Sequence, residues 1–73
     1  MKCTVKLVWD EEAAIWYTKT DDIPGLVLHS DSFDTLIERV RVAAPELLRE
    51  NLNHTGSVYI SFHAERIAEG LAV

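Results

Sequence analysis

Two short runs of carboxylates, Asp10-Glu11-Glu12 and Asp21-Asp22, are the part of this sequence whose residue types come nearest to chemistry. A pair of carboxylates can exchange protons with a substrate when burial or a like-charged neighbour drives their pKa values apart. Several together can hold a divalent cation, but the Asp-x-Asp-x-Asp-Gly order of a calcium loop does not occur. Both runs are flanked by turn residues, so these acids are expected to stay solvated. His29, His54 and His63 fall on a predicted strand end, a loop and the outer face of a strand. None shows the i, i+4 spacing that brings two imidazoles to one zinc. Cys3 is the single cysteine, which leaves no internal disulfide and no cysteine-based zinc site. Inside an apolar alternation it reads as a buried thiol. Ser30, Ser32, Ser57 and Ser61 lack a nucleophile-elbow sequence, and no glycine-rich loop is present to cradle a phosphate. The expectation is a chain without catalytic residues, metal or cofactor.

The elements that would position these residues follow from periodicity. Lys2 to Trp9 alternate, with Cys3, Val5, Leu7 and Trp9 on one face and Lys2, Thr4 and Lys6 on the other, which is a half-buried strand. β-type residues resume from Ala14 to Thr20, so a hairpin forms with the three acids at its tip. A four-residue loop puts Trp16 on the face of Leu7 and Trp9. One more residue puts Ile15 and Tyr17 there, and the pattern does not choose between the two. Asp21-Asp22-Ile23-Pro24-Gly25 is the strongest turn signal, with Pro-Gly suited to the centre of a type II turn. A third strand is expected over residues 25–30.

Ser32 is a good N-cap, and Asp34 suits the positive end of the helix dipole. Phe33, Leu36, Ile37, Val40, Ala44, Leu47 and Leu48 recur at helical spacing, so one amphipathic helix is expected over 33–51, kinked at Pro45. A fourth strand over 57–64 places Val58, Ile60, Phe62 and Ala64 on one face and Tyr59, Ser61 and His63 on the other. The tail from Glu65 to Val73 is weakly patterned and reads as a short helical turn or a frayed end. The order β-β-β-α-β predicts an α+β fold, a four-stranded mixed sheet with the helix packed on one face. Strand four would run parallel to strand one, leaving strands three and four as edges.

At 73 residues, with 48% apolar composition, the chain reads as one small globular domain spanning 1–73. So small a core favours a partner or an oligomer. Twelve acids against seven bases give a net charge of −5. That balance disfavours direct nucleic-acid binding and suits a basic protein. No apolar stretch approaches the ~20 residues needed to span a bilayer, and no signal-peptide core precedes the first strand, so the cytoplasm is the expected compartment.

Val8-Trp9-Asp10-Glu11-Glu12-Ala13, Trp16-Tyr17, Asp21-Asp22-Ile23-Pro24-Gly25-Leu26 and Asp31-Ser32-Phe33 together resemble the HicB-like antitoxin family. The likeness is strongest to its short members, catalogued as a domain of unknown function, and covers roughly residues 4 to 50. The resemblance implies a partial RNase H-like fold, a homodimer or higher homo-oligomer, and a partner: a small basic toxin ribonuclease of HicA type. Full-length HicB antitoxins carry a C-terminal DNA-binding module, for which nothing after Ala64 has room. RNase H-type nucleases hold metal through carboxylates on sheet strands, and residues 3–8 and 57–64 contain none. The expected function is therefore non-catalytic sequestration through an acidic, aromatic surface made by Asp10, Glu11, Glu12, Trp16, Asp21, Asp22 and Tyr59. The competing expectation is an orphan homo-oligomerising domain without a toxin partner.

Overall fold

The computed structural model describes residues 1–72. Its elements are β1 (Lys2–Asp10), β2 (Ile15–Lys19), β3 (His29–Ser30), α1 (Phe33–Leu52) and β4 (Tyr59–Glu65). They form one four-stranded sheet in the order β3-β2-β1-β4. The β1–β2 and β2–β3 pairs are antiparallel, and β1–β4 is parallel. The fold class, the mixed sheet and the placement of both edges agree with the sequence expectation.

The core follows from two periodicities meeting. Cys3, Val5 and Leu7 of β1 point one way and are buried, against Leu36, Val40, Ala44 and Leu48 at every fourth position of α1. Ile60 and Phe62 of β4 lie opposite Cys3 and Val5 and pack on the rim of this core. The nearest approaches of α1 are to β3 and β2, so the β4 side is less fully roofed.

The helix begins where its cap dictates. Ser32 has extended backbone, and its hydroxyl accepts the Thr35 amide at 3.3 Å. The helix runs without interruption through Pro45 and ends at Asn53, whose φ of 53° is left-handed. There the Asn53 and His54 amides both turn back to the Leu48 carbonyl, satisfying an end that would otherwise lack partners.

The third strand is shorter than residues 25–30. Ile23 and Leu26 must both be buried, and a spacing of three is turn geometry, whereas a strand alternates by two. Gly25, at φ 84°, allows the turn, closed by the Leu26 amide on the Ile23 carbonyl. Thr18 then replaces part of the ladder. Its Oγ1 accepts the Leu28 amide at 3.1 Å, while its own amide donates to the Leu28 carbonyl at 3.0 Å. Regular pairing with β2 is reached only at Tyr17–His29 and Trp16–Ser30.

Smaller corrections concern the other boundaries. β2 starts at Ile15, one residue late, because Ala14 is left-handed at φ 54°. β4 covers Tyr59–Glu65 where 57–64 was expected, since its ladder opens at the Lys2–Tyr59 pair. Arg66 to Ala72 form neither helix nor strand and stay exposed, and Val73 lies outside the described residues. This arm makes the molecule long, 53 × 19 × 18 Å, with a radius of gyration of 14.0 Å. A compact chain of this length would have about 11 Å.

Candidate partner-binding surfaces

The hairpin register settles where the aromatics point. Trp9 lies opposite Trp16, so both share the helix side of the sheet, and Tyr17 faces the open side with Val8. Trp16 stacks edge-on against Trp9 at 5.3 Å and against Phe33 at 4.9 Å between ring centroids. The Arg66 guanidinium sits 4.2 Å above the Trp9 ring, closing the cluster. Tyr59 is 65% exposed on the opposite face, beside Lys2. The sheet therefore separates Trp16 from Tyr59, and a common surface holding both does not exist.

The acids are divided as well. Asp10, Glu11 and Glu12 sit at the β1–β2 turn, whereas Asp21 and Asp22 lie at the other end of the hairpin, beside Thr4. Six strand residues separate the two groups along β1, roughly 20 Å. Three of these carboxylates serve the fold. Asp10 Oδ1 accepts the amides of Glu12 and Ala13, which shapes the turn. Glu11 Oε2 accepts the Trp9 indole N–H at 2.6 Å. Asp22 Oδ2 accepts the Thr4 amide at 2.7 Å, while Thr20 donates its hydroxyl to the Thr4 carbonyl, prolonging the β1–β2 pairing by side-chain contacts. Glu12 and Asp21 point to solvent.

The open face of the sheet carries another charge. Lys6 stands opposite Lys19 on one side and His63 on the other, with Lys2 and Thr4 following. Glu65 reaches back to Lys6 at 3.4 Å, with both side chains half exposed, a pairing of small energetic weight. The strands gained a carboxylate at each boundary, Asp10 and Glu65, yet one shapes a turn and the other faces an ammonium. Among the described residues no three His, Cys, Asp or Glu side chains are placed to hold a metal ion. Burial, reinforced by the negative charge of Asp22, pushes the Cys3 thiol above its ordinary pKa, the opposite of what a nucleophile requires.

The surface that sequence reasoning missed lies between α1 and the end of β3. Leu28, Val42 and Ala43 line an open-sided groove of about 650 Å³, with Asp34, Thr35, Glu38 and Arg39 around it. Val42 is 70% exposed. Arg39 donates to the His29 carbonyl at 2.7 Å and ties the helix to β3. The available signal was Val42, an apolar residue lying off the core stripe of the helix.

Among the described residues no helix is long and apolar enough to cross a membrane. No curated protein matches the chain. Among solved structures it is similar to the hypothetical protein TTHA1013 from the extremely thermophilic bacterium Thermus thermophilus. The two are 31% identical with a TM-score of 0.81, and the match covers 96% of this chain and 100% of that one. The family described as a domain of unknown function (DUF1902) matches residues 2–71. With nearly its whole length inside that match, the chain belongs to the DUF1902 family.

Proposed function

We propose that this chain is a non-catalytic, HicB-like protein-binding module of the cytoplasm that neutralises a small basic toxin ribonuclease by stoichiometric contact. The observation that carries the reading is the α1–β3 groove, an apolar floor of Leu28, Val42 and Ala43 with the Asp34 carboxylate on its rim, beside Arg39 and a Glu38 that pairs with Arg41 at 2.9 Å. A basic partner places an apolar side chain on that floor and a cation against Asp34, and the net charge of −5 speeds the encounter. The hairpin motifs that resemble HicB-like antitoxins, and a β-β-β-α-β order that suits them, support the same reading.

The test is to read the neighbouring reading frame for a short basic protein and to co-express it with this chain; a neighbourhood that encodes none counts against the reading. The expected result is relief of that protein's toxicity and an isolable complex of fixed stoichiometry. Val42→Asp, which buries a charge in the contact, should weaken it by about 100-fold, as loss of a central interface residue does. A neighbour that is not toxic, or toxicity that this chain leaves unrelieved, overturns the reading. A second reading, an orphan domain that associates only with itself, is favoured by the unpaired edge of β4.

A further inference from the structure

The edge of β4 is seven residues long, and among the described residues no strand pairs with it beyond β1. The Tyr59 amide bonds to the Met1 carbonyl at 2.8 Å, so the backbone groups of Tyr59 face β1. Alternation then turns the N–H and C=O of Ile60, Phe62 and Ala64 outward, a template without a partner. Nothing in the edge blunts it: it has no proline and no bulge, and its one lysine contact lies on the face, at Glu65.

We propose that a second copy of this chain pairs with this edge, β4 against β4 antiparallel, about a two-fold axis at Phe62. The inference is independent of the toxin-binding reading. The sequence of β4 selects that register. Residues whose backbones face outward must oppose one another, and both helices must cover the same side of the joined sheet. Centring on Phe62 meets both conditions and uses all of Tyr59–Glu65, giving roughly six hydrogen bonds at two per bonded pair. Phe62 then meets its own copy and Ile60 meets Ala64 on the helix side. There Phe62 and Ile60 are only half buried and α1 lies towards β2 and β3. On the open side Tyr59 meets Glu65 and Ser61 meets His63, so no like charges are opposed. Registers centred on Ser61 or His63 lose one bonded pair each, and the latter sets imidazole against imidazole.

The same symmetry gives the arm a place. Leaving β4, Arg66–Ala72 of one copy runs past the loop from Asn53 to Val58 of the other. In a single chain Ile67 and Leu71 are 85% and 96% exposed, and Leu52 is 49% exposed. An arm from a second copy brings these side chains into contact and takes them out of water. An isologous contact of this kind closes on itself and ends at a dimer.

Sedimentation equilibrium on the full chain, with paired cysteine variants, tests the proposal. The expected result is a dimer. Ala64→Pro removes an outward amide that β1 does not use, so it should weaken the dimer by about 100-fold, with circular dichroism unchanged. Under oxidation Ser61→Cys/His63→Cys should cross-link between copies, because those positions are opposed across the axis, whereas either substitution alone should not. A monomer at high micromolar concentration overturns the proposal. So does cross-linking by Ser61→Cys alone, which reports the neighbouring register, or a dimer indifferent to Ala64→Pro. Should Ala64→Pro fail to fold, the cysteine pair decides by itself.

Discussion

The sheet ends in two edges built on opposite principles. At β3 only His29 and Ser30 join the ladder, and the chain before them is held by the Thr18 side chain and by Ile23 and Leu26 sunk in the core. At β4 the ladder is regular over seven residues, and among the described residues nothing pairs with the far side of the strand. An irregular stretch cannot be extended by another strand, because its amides and carbonyls no longer alternate. A regular one can. One edge is closed by side chains and the other is left open by backbone, which is why association is assigned to β4 and a side-chain groove to β3.

The contrast breaks most readily at Ile23. If the connection before β3 is part of the core, Ile23→Ala should cost about 3 kcal/mol in urea unfolding, the usual loss for a fully enclosed branched side chain. A cost under about 1 kcal/mol would make the connection a surface loop. Thr18→Val keeps the shape and removes the hydroxyl that receives the Leu28 amide, so a loss of about 1–2 kcal/mol is expected. Faster hydrogen exchange at Leu28, with β4 unaffected, would locate the damage at the β3 edge. Arg66→Ala removes the cation from the Trp9 ring and should cost about 0.5–1 kcal/mol. Its distinct signature is a change in tryptophan emission, and unchanged emission would place the guanidinium elsewhere in solution.

The two edges also differ in how far they could be read from sequence. The β4 alternation, Val58-Tyr59-Ile60-Ser61-Phe62-His63, states its own structure, and so does the Ser32 cap with the heptad-like apolar positions that follow. Residues 25–30 misled because Leu26 and Leu28 are two apart, as in a strand, while the decisive contact, the Thr18 hydroxyl, lies eight to ten residues away. Register hid Trp16. Either hairpin length satisfies a period of two, and the observed Trp9–Trp16 pairing is what puts the ring on the helix side. The acids misled for a related reason. Composition shows that Asp10, Glu11 and Asp22 are charged, but their hydrogen bonds to Ala13, Trp9 and Thr4 depend on turn geometry that composition does not carry.

Cys3 offers the gentlest probe of the open edge. It is 2% exposed and lies opposite Ile60, so reagent reaches it mainly when β4 lifts from β1. Burial first, and the Asp22 charge second, raise its pKa in the folded state. The neutral thiol is therefore the form that the fold prefers. Below the ordinary thiol pKa both states are protonated and the group leaves stability unaffected by pH. Above it the unfolded chain ionises while the folded one does not, so stability falls as pH rises towards the folded value, by at most about 1.4 kcal/mol per unit. Against Cys3→Ala, the wild type should show this extra slope only in alkaline solution and none at neutral pH. Alkylation at neutral pH should be slow, and slower still at concentrations where β4 is paired with a second copy. An alkylation rate that ignores protein concentration would mean that lifting β4 and freeing its outer edge are separate events.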